Sequence, residues 1–177
     1  FLEEVWSRNV LNLLTTPVRE IEYALALLII GLVRAVFAAV LIAVVGIGLY
    51  AIDPTSAGLV MVPAAIVLLL FGWAVSLMVV GLTLQYGETA EVFSWATLVM
   101  LLPISGVFYP LDALPGALQA VASIIPITRA FEAVRAGLEG SGPVAANLIL
   151  GALGSLAAVG LAWWFVLRQL RRFRQEG

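Results

Sequence analysis

The sequence predicts an all-α integral membrane protein, and composition and apolar run length are the two observations behind that prediction. Of the 177 residues, 63% are hydrophobic and only 11% are charged. Soluble domains are about half apolar and about one quarter charged. Several apolar runs approach the roughly 20 residues that a helix needs to cross a hydrocarbon layer of about 30 Å. Because no repeat of fixed period divides the chain, we predict a single membrane domain over residues 1–177.

The composition also restricts the chemistry that this chain can perform. It contains no cysteine and no histidine, which removes thiolate and imidazole ligands and the commonest general base. All nine basic residues are arginine, so the phosphate-binding loop that ends in a lysine is absent from the sequence. We therefore predict no catalytic residue, no metal site and no bound cofactor. The net charge of −2 gives no reason to expect nucleic acid as a partner.

Four apolar runs predict transmembrane helices, and four crossings place both ends of the chain on one side of the membrane. Arginines crowd the basic tail at 168–177, and the N-terminal flank carries Arg8 and Arg19. The positive-inside rule therefore predicts that both termini are cytoplasmic. The predicted spans are 24–51, 58–84, 92–109 and 147–167.

The N-terminal flank, residues 1–22, has the pattern of an amphipathic helix on the cytoplasmic surface. Leu2 and Trp6 share one face, while Glu4 and Arg8 share another at a spacing of four. Two interpretations stay open. The helix is either an interfacial anchor or a docking helix that receives force from a cytoplasmic partner.

The segment between the last two spans contains prolines that predict a hairpin at 111–138. Pro126 lacks an amide hydrogen and clashes with the preceding turn, so it divides the segment into two helices. Asp112 is expected to cap the first helix, with Pro115 in its first turn. Since each helix of about 12 to 15 residues is too short to cross the membrane, the hairpin is predicted to enter from outside and return.

The two predicted hairpin helices each carry an apolar face, and the second also carries a charged face. Opposite charges alternate at spacings of three and four, which places them side by side on a helix. They form either a self-neutralising ladder at the headgroup level or the outer mouth of a translocation path, with the arginines meeting anionic groups. The charged residues are Arg129, Glu132, Arg135 and Glu139, and the apolar faces are Leu114, Leu118, Val121 and Ile125, then Ile127, Phe131, Val134 and Leu138.

The first span contains one charge and one row of small residues. Arg34 lies about ten residues inside the run, where an arginine costs about 2.5–3.5 kcal/mol. It is expected to reach toward the cytoplasm or to pair with one of four carboxylates: Glu20, Glu22, Glu88 or Glu91. The small residues permit close approach of another helix, either within one subunit or, less specifically, at a dimer seam. They are Gly31, Ala35, Ala39 and Ala43.

Two long stretches resemble the permeases of the ABC-2 type transporter family. "QYGETAEVFSWATLVMLLPIS" followed by "GVFYPLDALPGALQAVASIIPITRAFEAVR" is similar to the C-terminal signature of that family, and "FLEEVWSRNVLNLLTTPVREIEYAL" is similar to its cytoplasmic coupling segment and third helix. The resemblance implies a fold of six helices, of which this chain carries the last four, with the coupling segment before them and a re-entrant outer hairpin.

The resemblance also implies partners and site residues. Such permeases form homo- or heterodimers in the bacterial inner membrane, joined to two subunits that bind ATP and Mg, and they export lipids, polysaccharides, drugs or other hydrophobic cargo. The coupling residues facing the ATPase would be Glu3, Glu4, Arg8 and Asn9, and the outer hairpin would contain Pro110, Pro115, Pro126, Arg129 and Arg135, with Glu132 between the arginines.

Two other functions are compatible with the sequence. One is a membrane scaffold in which the amphipathic helix only anchors and the hairpin only packs. The other is a secondary carrier, which is disfavoured because the predicted spans have no acidic residue well inside them, whereas ion-coupled carriers usually keep titratable groups near the midplane.

Overall fold

The computed structural model describes residues 20–50 and 58–176, and every regular element in those two ranges is helical. The predicted all-α membrane fold is confirmed. Three helical stretches are long and apolar enough to cross a membrane: Ile29–Leu49, Gly58–Thr83 and Val144–Gln169. The helices are α1 (Glu20–Tyr50), α2 (Met61–Tyr86), α3 (Ala90–Ile104), α4 (Gly116–Ile124), α5 (Pro126–Glu139) and α6 (Val144–Glu176), with 3-10 turns at Gly58–Val60, Gly87–Thr89 and Leu111–Ala113.

The described residues belong to two units. Helix α1 is the described part of the first unit, and residues 58–176 are the described part of the second. Arg34 lies near the middle of α1, and the small residues spaced four apart share one face of that helix. Their pairing and packing roles stay predictions.

Helices α2 and α6 pack side by side and run in the same direction. The Ser155 hydroxyl donates a hydrogen bond of 3.1 Å to the Val67 carbonyl, and further along both helices the Gln169 amide donates one of 2.8 Å to Gln85. Residue numbers increase along both helices from the first contact to the second. The packing is therefore parallel.

Two glycines lie in the seam between these helices, since a Cβ on Gly81 would lie 2.6 Å from the Phe165 ring and one on Gly151 3.0 Å from a methyl of Val67. Mostly small residues are buried along both helices. Ala64, Val67 and Ala74 are buried on α2, at spacings of three and seven, while Ser155 and Ala162 are buried seven apart on α6. These spacings keep one side of each helix facing its neighbour. Since lipid tails are as apolar as leucine, close backbone approach and van der Waals contact, more than hydrophobicity, hold helices together in a bilayer.

The parallel packing requires the intervening chain to return from the end of α2 to the start of α6. Helix α3 makes most of this return, but it has only 15 residues and is about 22 Å long. It ends at Ile104, whereas the sequence predicted a span at 92–109. Gly106 adopts a left-handed φ of 76°, and the Ser105 hydroxyl donates a hydrogen bond of 2.8 Å to the Leu102 carbonyl. Both features end the helix early.

Helix α5 lies against α2 and α6 and completes the return. A Cβ placed on Gly137 would lie 3.0 Å from a methyl of Val60, just before α2, and a Cβ on Gly154 would lie 2.9 Å from the Pro126 ring. Helix α5 is therefore antiparallel to both neighbours. Its first residue lies beside Gly154, ten residues into α6 or about 15 Å from the start of that helix.

The break predicted at Pro126 is present, but the two short helices do not form an antiparallel hairpin. Helices α4 and α5 are bent by 95° at Ile125, because one extended residue (φ −75°, ψ 125°) does not reverse the chain. We call α4 and α5 together the elbow. Asp112 was wrongly predicted as a cap. It lies in a separate 3-10 turn, and α4 begins at Gly116 after Pro115 with no side-chain cap.

Alanines, more than large apolar residues, are buried in the elbow. Ala122, Ala130 and Ala133 are completely buried, whereas Leu118 and Leu138 are about half exposed. Ala130 packs with Ala64 and Val67 in the core of this unit. Of the apolar faces seen in the sequence, Leu118, Val121 and Leu138 are exposed, as expected where lipid covers large side chains, whereas Val134 packs against the core.

The close contact of Gly154 with Pro126 gives a stability prediction. Gly154→Ala places a Cβ 2.9 Å from the proline ring, and such overpacking costs about 1–3 kcal/mol. We expect a lower free energy of unfolding in detergent, measured by denaturant titration. Gly160→Ala on the same helix is the matched control, because its Cβ would meet nothing within 4 Å. Equal stability of the two variants would contradict the packing of α5 against α6.

Candidate functional site

The structure brings the predicted hairpin residues together around the elbow. Pro110 precedes the 3-10 turn that leads to α4, Pro115 precedes α4 itself, and Pro126 begins α5. Arg129, Glu132 and Arg135 follow on α5. The predicted coupling residues Glu3, Glu4, Arg8 and Asn9 lie outside the described residues, so their role stays a prediction.

Three hydrogen bonds hold the segment from Ile104 to Leu111 against α5. The Thr128 hydroxyl donates a hydrogen bond of 3.0 Å to the Ile104 carbonyl. Arg135 Nη2 donates a hydrogen bond of 3.0 Å to the Gly106 carbonyl, and the Leu111 amide donates one of 3.1 Å to Glu132 Oε1. Thr128 is completely buried. The end of α3 and the loop after it are thus fastened along α5, one turn after another.

An ion pair is the centre of this attachment. Arg135 Nη1 lies 2.6 Å from Glu132 Oε1, and the two side chains are 28% and 23% exposed. The same carboxylate oxygen accepts from the Leu111 amide, while the same guanidinium binds the Gly106 carbonyl. Hydrogen bonds to ionised groups are shorter and stronger than neutral ones. The pair therefore fixes both ends of the loop, and we call Glu132 and Arg135 the loop clamp.

Arg129 fastens the corner of the elbow. Its Nε donates a hydrogen bond of 2.8 Å to the Ser123 carbonyl at the end of α4, and its Nη1 donates one of 3.2 Å to Asn147 Oδ1 on α6. One side chain on α5 thus connects three helices. The charged residues of α5 do not form a continuous ladder, because Arg129 binds a carbonyl and an amide where a carboxylate was expected.

A cleft of about 570 Å³ opens beside the loop clamp. Its charged side chains are three carboxylates and one guanidinium, and that guanidinium is already paired with Glu132. Arg129 and Arg135 each use two of their five N–H donors in these internal bonds, so each keeps donors for a further acceptor. The lining residues are Pro110, Leu111, Asp112, Gln119, Glu132, Arg135 and Glu139.

The described residues do not provide a metal site. Across residues 20–50 and 58–176, no group of three or more histidine, cysteine, aspartate or glutamate side chains is placed to hold an ion. The polar side chains of the elbow form hydrogen bonds and one ion pair, and these bonds hold the loop and α4 against α5.

Sequence reasoning missed two residues that complete the elbow. Asn147 is 7% exposed and Thr128 is fully buried, and each bonds to a different helix or loop. A signal existed for Asn147, since a polar residue at the start of an apolar run needs a partner. The partner of Thr128 depends on the left-handed turn at Gly106, which the sequence pattern did not reveal.

The loop clamp gives a second prediction. Glu132→Ala leaves the Leu111 amide without its acceptor and Arg135 with only the Gly106 carbonyl, which costs about 1–3 kcal/mol. Because the chain contains no cysteine, Ser105→Cys provides a single labelling site, and position 105 is only 2% exposed while the loop is held. We expect faster maleimide labelling at position 105 in the Glu132→Ala background.

Two controls separate this effect from general destabilisation. Glu132→Gln keeps an acceptor oxygen for the amide and should give an intermediate rate. Glu139→Ala, at the exposed end of the same helix, should leave the rate unchanged. An unchanged rate in Glu132→Ala would show that the clamp does not hold the loop.

Comparison with protein families identifies the chain. The model of the family described as ABC-2 type transporter matches residues 4–138, which is more than half of the sequence and includes the helices up to the end of α5. Searches of curated proteins and of solved structures returned no match. The chain is an integral membrane protein of the ABC-2 type transporter family and carries the membrane domain of a transport subunit.

Proposed function

We propose that this chain is the permease subunit of an ATP-driven exporter that moves a hydrophobic or amphiphilic cargo, of the drug, lipid or polysaccharide class, across the bacterial inner membrane. Both termini are cytoplasmic in this proposal. ATP and Mg bind a separate subunit, because this sequence contains no lysine to complete a phosphate-binding loop. Membership of a transporter family supports the proposal.

The observation that carries the proposal is the elbow fastened beside the seam of α2 and α6. Three helices and one loop meet there through Arg129, Arg135 and Glu132. These bonds are few, directional and partly open to the cleft, so the loop can separate from α5 without disrupting the small-residue seam. A transport cycle needs such an element with two discrete arrangements.

The proposed cycle begins at the coupling segment. Closure of the ATP-binding subunits pushes on the surface helix at 2–16, tilts α1 and changes how two permease subunits pack. The second permease is either an identical or a related chain, and the small-residue row of α1 is one surface on which the two could meet. Cargo leaves past the segment at 111–138. ATP binding biases the two states and forms no covalent bond with this chain.

Replacing the charged pair of the coupling segment tests this cycle. Glu4→Ala combined with Arg8→Ala removes the polar face offered to the ATPase, and we expect the permease-dependent change in ATP hydrolysis by the co-purified ATP-binding subunit to fall about 5-fold or more, the lower range of typical coupling energies. Glu4→Asp combined with Arg8→Lys keeps both charges and should retain most of the effect. Unaltered hydrolysis in the alanine variant would remove the support for the coupling assignment.

The two alternatives give different outcomes. A scaffold would not bind an ATPase, so a pull-down without any subunit that carries a phosphate-binding loop favours it. A secondary carrier would stop when the proton gradient of loaded vesicles is dissipated, whereas an ATP-driven exporter would continue.

A further inference from the structure

The end of α6 carries a charged and aromatic surface that the proposed cycle does not use. Trp163 and Trp164 are both more than half exposed. Arg168 lies one turn further on, and its guanidinium is 5.4 Å from the centre of the Trp164 ring. Helix α6 continues beyond the apolar span, which ends at Gln169, as far as Glu176.

Gln169 shows which side of this helix end faces α2. Its side chain is 7% exposed and donates to Gln85 at the end of α2. At about 100° per residue, positions 168, 171 and 174 lie roughly 100° to 160° away from the direction of Gln169. Positions 163 and 164 lie on the same side, roughly 120° to 140° away.

By helical register, therefore, three arginine positions follow two tryptophans on the side of α6 turned away from α2. Interfacial tryptophans mark the level where hydrocarbon gives way to headgroups. Position 168 is about 6 Å beyond Trp164 and position 171 about 10 Å beyond it. The headgroup layer is about 5–8 Å thick on each side of the core. Arg168 thus lies inside that layer and position 171 at its edge. Position 174 is about 15 Å beyond Trp164, outside the layer but within about one Debye length of its charges.

We propose that this surface, which we call the arginine collar (Arg168, Arg171 and Arg174), binds anionic phospholipid headgroups. The charge pattern favours anionic ligands, because the only acidic residue from position 160 to the end of the chain is Glu176. The cation–π contact holds the Arg168 guanidinium at the Trp164 ring, on the lipid-facing side. The helix C-terminus itself carries partial negative charge, which favours arginine there.

The collar has a consequence for the seam. Gln85 and Gln169 join α2 to α6 at the level of Arg168, on the other side of α6, so anionic lipid bound to the collar fixes the height and rotation of both helices at that membrane surface. The proposal does not depend on transport, since it needs only that α6 crosses a bilayer.

Tryptophan quenching by brominated lipid tests the proposal. Replacing Trp6, Trp73 and Trp95 with phenylalanine leaves Trp163 and Trp164 as the only tryptophans. The full chain is reconstituted in phosphatidylcholine vesicles that contain equal fractions of brominated phosphatidylglycerol or brominated phosphatidylcholine. We expect quenching to report an enrichment of phosphatidylglycerol of about 5-fold or more, as for one arginine at an anionic surface. The excess should fall as salt is raised.

Substitutions decide whether the arginines cause this enrichment. Arg168→Gln, Arg171→Gln and Arg174→Gln together should abolish it, while quenching by brominated phosphatidylcholine stays unchanged and shows that the helix is still inserted. The corresponding lysine variant keeps the charge and should keep most of the enrichment. Arg168→Gln alone should lower it partially, which provides a test if the triple variant does not fold.

Three results would overturn the proposal. The first is equal quenching by the two lipids in the chain with all its arginines. The second is an excess that survives the triple glutamine substitution. The third is loss of a co-purifying ATP-binding subunit on glutamine substitution with no change in lipid quenching, which would make the collar a protein contact.

Discussion

Close parallel packing of α2 and α6 is the constraint on which the rest of this unit depends. Small residues at the seam bring the two backbones together, and the hydrogen bonds from Ser155 to Val67 and from Gln169 to Gln85 fix the direction. Two parallel spans oblige the chain between them to return across the bilayer. From Val67 to the end of α2 is about 29 Å, whereas α3 provides only about 22 Å in the opposite direction. Helix α5 of the elbow completes the return.

The polar bonds of the elbow follow from its place among apolar helices. Ending α3 at Ile104 frees backbone carbonyls among apolar helices, and unpaired polar groups buried there are costly. Thr128 and Arg135 donate to two of the carbonyls, at Ile104 and Gly106, and Arg129 donates to the Ser123 carbonyl that α4 leaves at its end. The arginines of α5 thus donate hydrogen bonds to backbone carbonyls that have no partner within a helix.

Much of this architecture could be predicted from the sequence, for reasons visible in particular residues. The break at Pro126 followed from the missing amide hydrogen, and the apolar runs located α1, α2 and α6. The early end of α3 could not be predicted, because it depends on a left-handed Gly106 fitted against Thr128. The apolar pattern also could not tell helix contacts from lipid contacts: large residues such as Leu118 are exposed and Ala130 is buried. The partners of Arg129 required the fold, since Asn147 is 18 residues away.

In the proposed re-entrant arrangement, the corner of the elbow lies within the membrane and is reached from the outside. Single cysteines at Ser123, Ser141 and Thr89 test it most directly, because the chain has no other cysteine. With a membrane-impermeant maleimide on intact cells, we expect position 141 to react, position 89 to react only after permeabilisation, and position 123 to react slowly under both conditions. Labelling of position 123 as fast as position 141 from outside, or rapid labelling from the cytoplasm, would contradict the account.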